Sequence, residues 1–148
     1  MRALIQRVLS ASVSVDSQVS GRIERGLLVY LGVAIDDTVA QADKLAEKVA
    51  RLRIFEDQSG KLNLSVDQVD GAILVIPNFT LQADARKGRR PSFDRVMPGE
   101  SAELLHRRFI ETLSEAGIPV QEGQFGADMR IASVADGPVN LVVDIEAG

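Results

Sequence analysis

Apolar and polar residues mix over positions 2 to 8, and Ala11-Ser12-Val13-Ser14-Val15-Asp16 alternates at period two, as a strand with one buried face does. Two early strands are predicted. After Gly21 and Gly26, Leu27 to Ala34 is apolar and rich in strand formers, which suits a central strand; Asp36-Asp37 at its end suit a helix N-cap. From Thr38 to Leu52, residues Val39, Ala42, Leu45, Ala46, Val49 and Leu52 recur at helical spacing, with Asp43, Lys44, Glu47, Lys48 and Arg51 on the other face. Asp57-Gln58-Ser59-Gly60-Lys61 reads as a turn, followed by a loop to Gly71. Ala72 to Ile76 is the next buried strand, which Pro77 must end or turn into an edge because it has no N–H to donate. A second helix is expected over Gly99 to Ala116, on the stripe Ala102, Leu105, Phe109 and Leu113, with Gly117 and Pro119 as stop signals. Phe125 to Val134 and Val139 to Ile145 close the chain as strand-like runs. This order of elements predicts an α+β fold, and residues 1–148 fit one domain.

Composition narrows the chemistry. With no cysteine and a single histidine, His106, the chain has neither a thiolate nucleophile nor the material for an imidazole metal cage, so no cofactor and no metal are expected. A net charge of −4 argues against a generally basic nucleic-acid binder. The densest positive cluster is Arg86-Lys87-Gly88-Arg89-Arg90, read as an exposed loop. No apolar run approaches a membrane span, and Arg7 interrupts what would otherwise resemble a secretory leader, so a cytoplasmic protein without a membrane partner is expected.

Two short segments stand out as candidate chemistry. Pro77-Asn78-Phe79-Thr80-Leu81 follows a strand, where successive backbone N–H groups around Phe79 and Thr80 can face a developing oxyanion. Asp136-Gly137-Pro138-Val139-Asn140 precedes another, and its Gly-Pro step is either an ordinary turn or a cis bond that aims main-chain carbonyls at an ammonium group.

These segments, taken with Ala3-Leu4-Ile5-Gln6-Arg7-Val8, Arg90-Pro91-Ser92-Phe93 and Gly123-Gln124-Phe125-Gly126-Ala127-Asp128-Met129, occur in order along the whole chain. In this the sequence resembles the D-aminoacyl-tRNA deacylases of the bacterial and eukaryotic type. The resemblance implies a layered ββα sandwich that works as a homodimer, with the cis Gly137-Pro138 of one subunit entering the partner's pocket. It implies hydrolysis of the ester between tRNA and a D-amino acid, or mischarged glycine, with Phe79 and Thr80 at the scissile ester. Asn78, Gly137 and Pro138 would contact the substrate, and Arg86, Lys87, Arg89 and Arg90, with Arg7 and Arg107-Arg108 as weaker candidates, would meet tRNA phosphates. Thr80 as nucleophile, and a backbone oxyanion site assisted by the ribose 2′-hydroxyl, both remain open.

The match departs from the family pattern inside the site. Pro77-Asn78 stand where Ser-Gln is usual, and Ala135 and Asn140 flank Gly137-Pro138 where Asn and Thr are usual. Altered contacts to the terminal adenosine are expected from the first change, and a turn lacking one amide brace from the second. A non-catalytic dimeric module that binds a D-amino acid or the tRNA 3′ end is the alternative reading.

Overall fold

Strands β3 (Gly26–Gly32) and β6 (Ala72–Pro77) run parallel at the centre of the molecule, with Leu27 opposite Ile73, Leu28 opposite Leu74 and Val29 opposite Val75. The computed structural model describes all residues from Met1 to Gly148. Both strands are apolar throughout because both of their faces are covered. On one side Leu27, Val29, Leu31, Ile73 and Val75 share a core with Ala42, Leu45 and Val49 of α1 (Val39–Arg51) and Leu105, Phe109 and Leu113 of α2 (Gly99–Glu115). On the other, Leu28, Leu74 and Ile76 meet Val8, Ala11, Val13 and Ile23 from the hairpin of β1 (Arg2–Val15) and β2 (Gln18–Ile23). The hairpin belongs to the same sheet as β3 and β6, so one curled, nearly barrel-like sheet and two helices make an α+β fold in place of the expected separate β layers.

The main sheet runs β2-β1-β3-β6-β7, with β7 at Val120–Glu122, and the long last strand β8 (Arg130–Asp144) pairs antiparallel with β1. β4 (Phe55–Glu56) and β5 (Leu62–Leu64) form a separate small hairpin around the expected turn, in which Asp57 accepts from the N–H groups of Ser59 and Lys61 at 2.8 and 3.1 Å. β3 and β6 approach so closely at one point that a Cβ on Gly26 would lie 1.8 Å from the Ala72 carbonyl oxygen.

Several expectations need correction. The two early strands are one: β3 pairs with Arg2 to Val8 and β2 with Ala11 to Val15, while β8 runs along the other edge of both stretches and carries the strand past the exposed Leu9. The polar, glycine-interrupted β2 has no hydrophobic signature and is a strand only through its partner. β4 and β5 likewise replace part of the expected loop. Thr38 caps α1, in a box where Ala40 N–H donates to its hydroxyl at 3.3 Å and its own N–H donates to Gln41 Oε1 at 2.8 Å. Asp37 is engaged elsewhere, accepting from the Met1 ammonium at 2.7 Å and the Ala34 N–H at 2.6 Å. Residues 125–129 lie outside any strand, and the two final runs merge into β8, with the Gly-Pro step inside the strand rather than ahead of one.

Candidate active site

Strand β6 ends where expected. Asn78 N–H donates to the Leu31 carbonyl at 2.8 Å as the last ladder contact, and the chain then winds into one 3-10 turn, Phe79–Gln82. The first N–H groups of any helical turn have no partner within it. Here neither the Phe79 nor the Thr80 N–H donates to any other group of the chain, so two adjacent backbone donors stand free. The turn itself is held firmly: the Arg2 guanidinium donates to the Leu81 carbonyl at 3.1 Å while pairing with Asp144 at 2.7 Å, and the Gln82 amide donates to the Gly32 carbonyl at 2.9 Å. The Thr80 hydroxyl donates to Asn78 Oδ1 at 2.6 Å. An amide oxygen is too weak a base to activate that hydroxyl.

Beside this turn lies a cavity of about 390 Å³ bordered by Asn78, Phe79, Met97, His106, Phe125 and Met129. Its wall is mostly apolar, with a few polar groups, the usual character of a small-molecule site. A larger hollow of about 560 Å³ opens on the far side of the turn; it is more polar, and six of its charged groups pair with one another, Arg2 with Asp144, Arg86 with Asp84 at 2.6 Å, and the Met1 ammonium with Asp37. The smaller cavity, flanked by free N–H donors, is the better candidate.

Composition marked His106 only as a lone histidine on the second helix. The fold places it in the wall of this cavity, 5% exposed, its ring edge-on to Phe125 with centroids 5.9 Å apart. Its Nε2 is buried with no hydrogen-bond partner. Burial pushes its pKa down to about 4, so the ring is neutral at physiological pH. The Thr80 hydroxyl makes its hydrogen bond to Asn78 and none to His106.

Gly137-Pro138 is cis and sits in a wide bulge of β8: Asn140 pairs with Gln6 and Ala135 with Val8, so two steps of β1 face five of β8. The bulge is braced by Arg7, which is only 6% exposed. Its guanidinium donates to the Asp136 carbonyl at 3.2 Å and the Ile54 carbonyl at 2.9 Å, and lies 3.3 Å from the Asp136 carboxylate. Arg7 thus supplies a brace where Ala135 cannot, and it is unavailable to RNA. Its inward aim was readable: Ala3, Ile5 and Arg7 occupy one face of an alternating strand. Gly137 has φ 129°, and a Cβ there would crowd the Arg7 guanidinium at 3.3 Å.

Within one chain the two motifs do not meet. Ala3 pairs with both Leu31 and Val143, and Leu31 pairs with Pro77, so the Phe79–Thr80 turn lies level with Val143. Gly137 lies in the bulge level with Arg7, four positions along β1 from Ala3 and so roughly 13 Å at the rise of a strand, and on a strand three places across from β6. Of the cationic candidates, Arg86, Lys87, Arg89 and Arg90 are exposed in one loop, with Arg86 paired to Asp84; that hydrogen-bonded pair holds the Asp84 carboxyl far below its ordinary pKa. Arg108 is tied to Asp43 at 2.6 Å, whereas Arg107 is exposed and only loosely paired, 3.8 Å from Glu103.

A buried strand that ends in two free backbone donors beside an apolar cavity is an arrangement able to hold a small ligand and to stabilise a developing oxyanion. The chain matches the family model described as D-Tyr-tRNA(Tyr) deacylase over residues 4–144. It is 53% identical over 148 residues to the D-aminoacyl-tRNA deacylase of Opitutus terrae, covering 99% of each chain, and 48% identical over 144 residues to that of Thermotoga petrophila, covering 97% of each. A solved structure described as a c-Myc DNA unwinding element binding protein superimposes with a TM-score of 0.94 at 38% identity, covering 99% of this chain and 100% of that one. A probable eukaryotic D-amino acid tRNA deacylase shares the fold, with a TM-score of 0.81 at 19% identity over 97% of this chain and 98% of its own. The protein belongs to the D-aminoacyl-tRNA deacylase family, enzymes that hydrolyse the ester linking a D-amino acid to tRNA.

Proposed function

We propose that deacylation takes place where the Phe79–Thr80 turn of one subunit meets Gly137-Pro138 of a second copy. The observation that carries this reading is the pair of unpartnered N–H groups at Phe79 and Thr80 beside the cavity. Water adds to the ester carbonyl, its proton passing through the ribose 2′-hydroxyl, and the resulting oxyanion accepts hydrogen bonds from those two N–H groups. Collapse of the intermediate expels the ribose 3′-oxygen, which takes up the proton. One such donor is worth about 3 to 4 kcal/mol in established hydrolases, so two suffice without a catalytic side chain. Because the Thr80 hydroxyl faces Asn78 and no base, it holds the turn rather than attacking.

Stereoselection follows from rigidity. With the substrate ammonium held by the Gly137 and Pro138 carbonyls, a D side chain projects outward while an L side chain meets backbone, and glycine passes the same filter. The separation of the two motifs within one chain, both along and across the sheet, supports a homodimer, as does β8, whose outer edge is unpaired and which carries the exposed Val134 and Val142. Asn78 and the cavity take the terminal adenosine, and Lys87, Arg89 and Arg90, with Arg86, meet acceptor-end phosphates. No helix is long and apolar enough to cross a membrane, and we place the enzyme in the cytoplasm, where aminoacylated tRNA is made.

Matched D- and L-aminoacyl-tRNAs incubated with the purified protein test the reading. Stereoselective release that persists in Thr80→Ala is the expected result. Release lost in Thr80→Ala with binding intact makes Thr80 the nucleophile, and stereoselective binding by the wild type without release makes the protein a non-catalytic binder.

A further inference from the structure

Of the six aromatic side chains, two are exposed, and they are neighbours: Phe79 at 62% and Phe93 at 46%, their rings 5.7 Å apart and inclined by 45°. They come from segments fourteen positions apart in the chain, joined by a loop whose base is closed by reciprocal 2.8 Å hydrogen bonds between the backbones of Asp84 and Ser92. Phe93 is fixed just outside that closure by the carbonyl bond it receives from Val96 N–H at 3.1 Å. The loop thus carries its cationic tip out from the base where the two rings sit. At that tip Lys87, Arg89 and Arg90 make no salt bridge, in a chain whose net charge is −4.

Neither feature serves the fold. Exposed phenylalanines are unfavourable in water, and a pair beside unpaired cations marks a contact surface. The charge selects the partner: an apolar protein surface would not need the cations, whereas a nucleotide strand offers phosphates for the cations and base faces for the rings. A duplex hides those base faces in its stack, so the match is to unpaired RNA.

We propose that Phe79 and Phe93, with Lys87, Arg89 and Arg90, form a stacking and phosphate-binding strip for the unpaired nucleotides that precede the terminal adenosine of tRNA. The strip rests on the deacylase reading of the neighbouring cavity and extends it. Phe79 borders both, so a strand whose last nucleoside enters the cavity runs across Phe79 toward Phe93 and the loop. The outermost nucleotides are gripped by features independent of sequence, as suits an end common to every tRNA.

The test uses the full-length protein. A short fluorescein-labelled single-stranded RNA ending in CCA is titrated by anisotropy beside its blunt duplex, and deacylation is measured on D-aminoacyl-tRNA and on D-aminoacyl-adenosine. Binding of the single strand over the duplex is expected, weakened roughly ten-fold or more by Phe93→Ala and restored by Phe93→Trp. Removing the charge of Arg89 or Arg90 should lower the salt dependence by about one phosphate contact. Phe93→Ala should also lower kcat/KM for the tRNA substrate far more than for the adenosine ester. Equal losses on both substrates with unchanged RNA affinity would show that Phe93 merely supports Phe79, and would overturn the strip. So would equal binding of the duplex, or a strip protected by a second copy and inert to RNA. Failure of the wild type to hydrolyse either substrate counts against the deacylase reading, while the RNA titration still decides the strip.

Discussion

Acidification probes His106 directly. Its ordinary pKa of 6.5 falls to about 4 in the folded protein, because burial disfavours the imidazolium. The folded-state value is the depressed one, so the neutral ring's contribution to stability is intact above pH 6.5 and is lost as the pH falls toward 4. The difference corresponds to about 3 kcal/mol once titration is complete and about 2 kcal/mol at pH 5. The carboxylates of Glu103 and Glu122 and the guanidinium of Arg107 border the hollow next to the ring. The measurement is therefore differential, against a variant that lacks the imidazole. His106→Phe keeps an aromatic ring against Phe125 and removes both the titration and the unpartnered Nε2, whose burial costs about 1 to 3 kcal/mol. Urea unfolding of both proteins between pH 7.5 and 4.5 should show the variant at least as stable at neutral pH, with the gap widening in acid by about 2 kcal/mol at pH 5. Parallel stability curves over that range would refute the burial of a neutral ring at this position.

Arg7→Ala leaves Asp136 without its partner and two carbonyls without a charged donor, at a cost of about 3 to 5 kcal/mol; thermal unfolding should record the loss, and deacylation should fall further than in Arg7→Lys, which keeps one donor. Gly26→Ala must force β3 and β6 apart against a 1.8 Å clash with the Ala72 carbonyl, so its melting temperature should drop by about 5 to 10 °C or the chain should fail to fold; an unchanged melting temperature would contradict the described approach. Val142→Asp adds a charge to a side chain exposed in the single chain, so circular dichroism should show an intact fold. Size-exclusion chromatography should then show a monomer without deacylase activity, and an active dimer would place the interface elsewhere.

The central strands, both helices and the two candidate motifs were legible in the chain itself, because burial on both faces demands continuous apolar runs and burial on one demands a stripe. Leu27 to Leu31 and Ala42 to Val49 carry that demand within a few consecutive residues. β2 and β5 were not legible, since Gln18–Ile23 and Leu62–Leu64 are extended only because a neighbouring strand supplies hydrogen bonds. The continuity of β1 past Leu9 and of β8 across Pro138 has the same origin: a ladder belongs to two segments, and neither segment specifies it alone. The cavity wall was hidden for a related reason. His106 lies far along the chain from Phe79, and only the packing of α2 beside the end of β6 brings both to one space. Local periodicity therefore determined which residues are buried and where the backbone turns. Tertiary structure decided which polar groups find partners: buried Arg7 finds the Asp136 bulge, whereas buried His106 Nε2 and, at the exposed turn, the N–H groups of Phe79 and Thr80 are left without one.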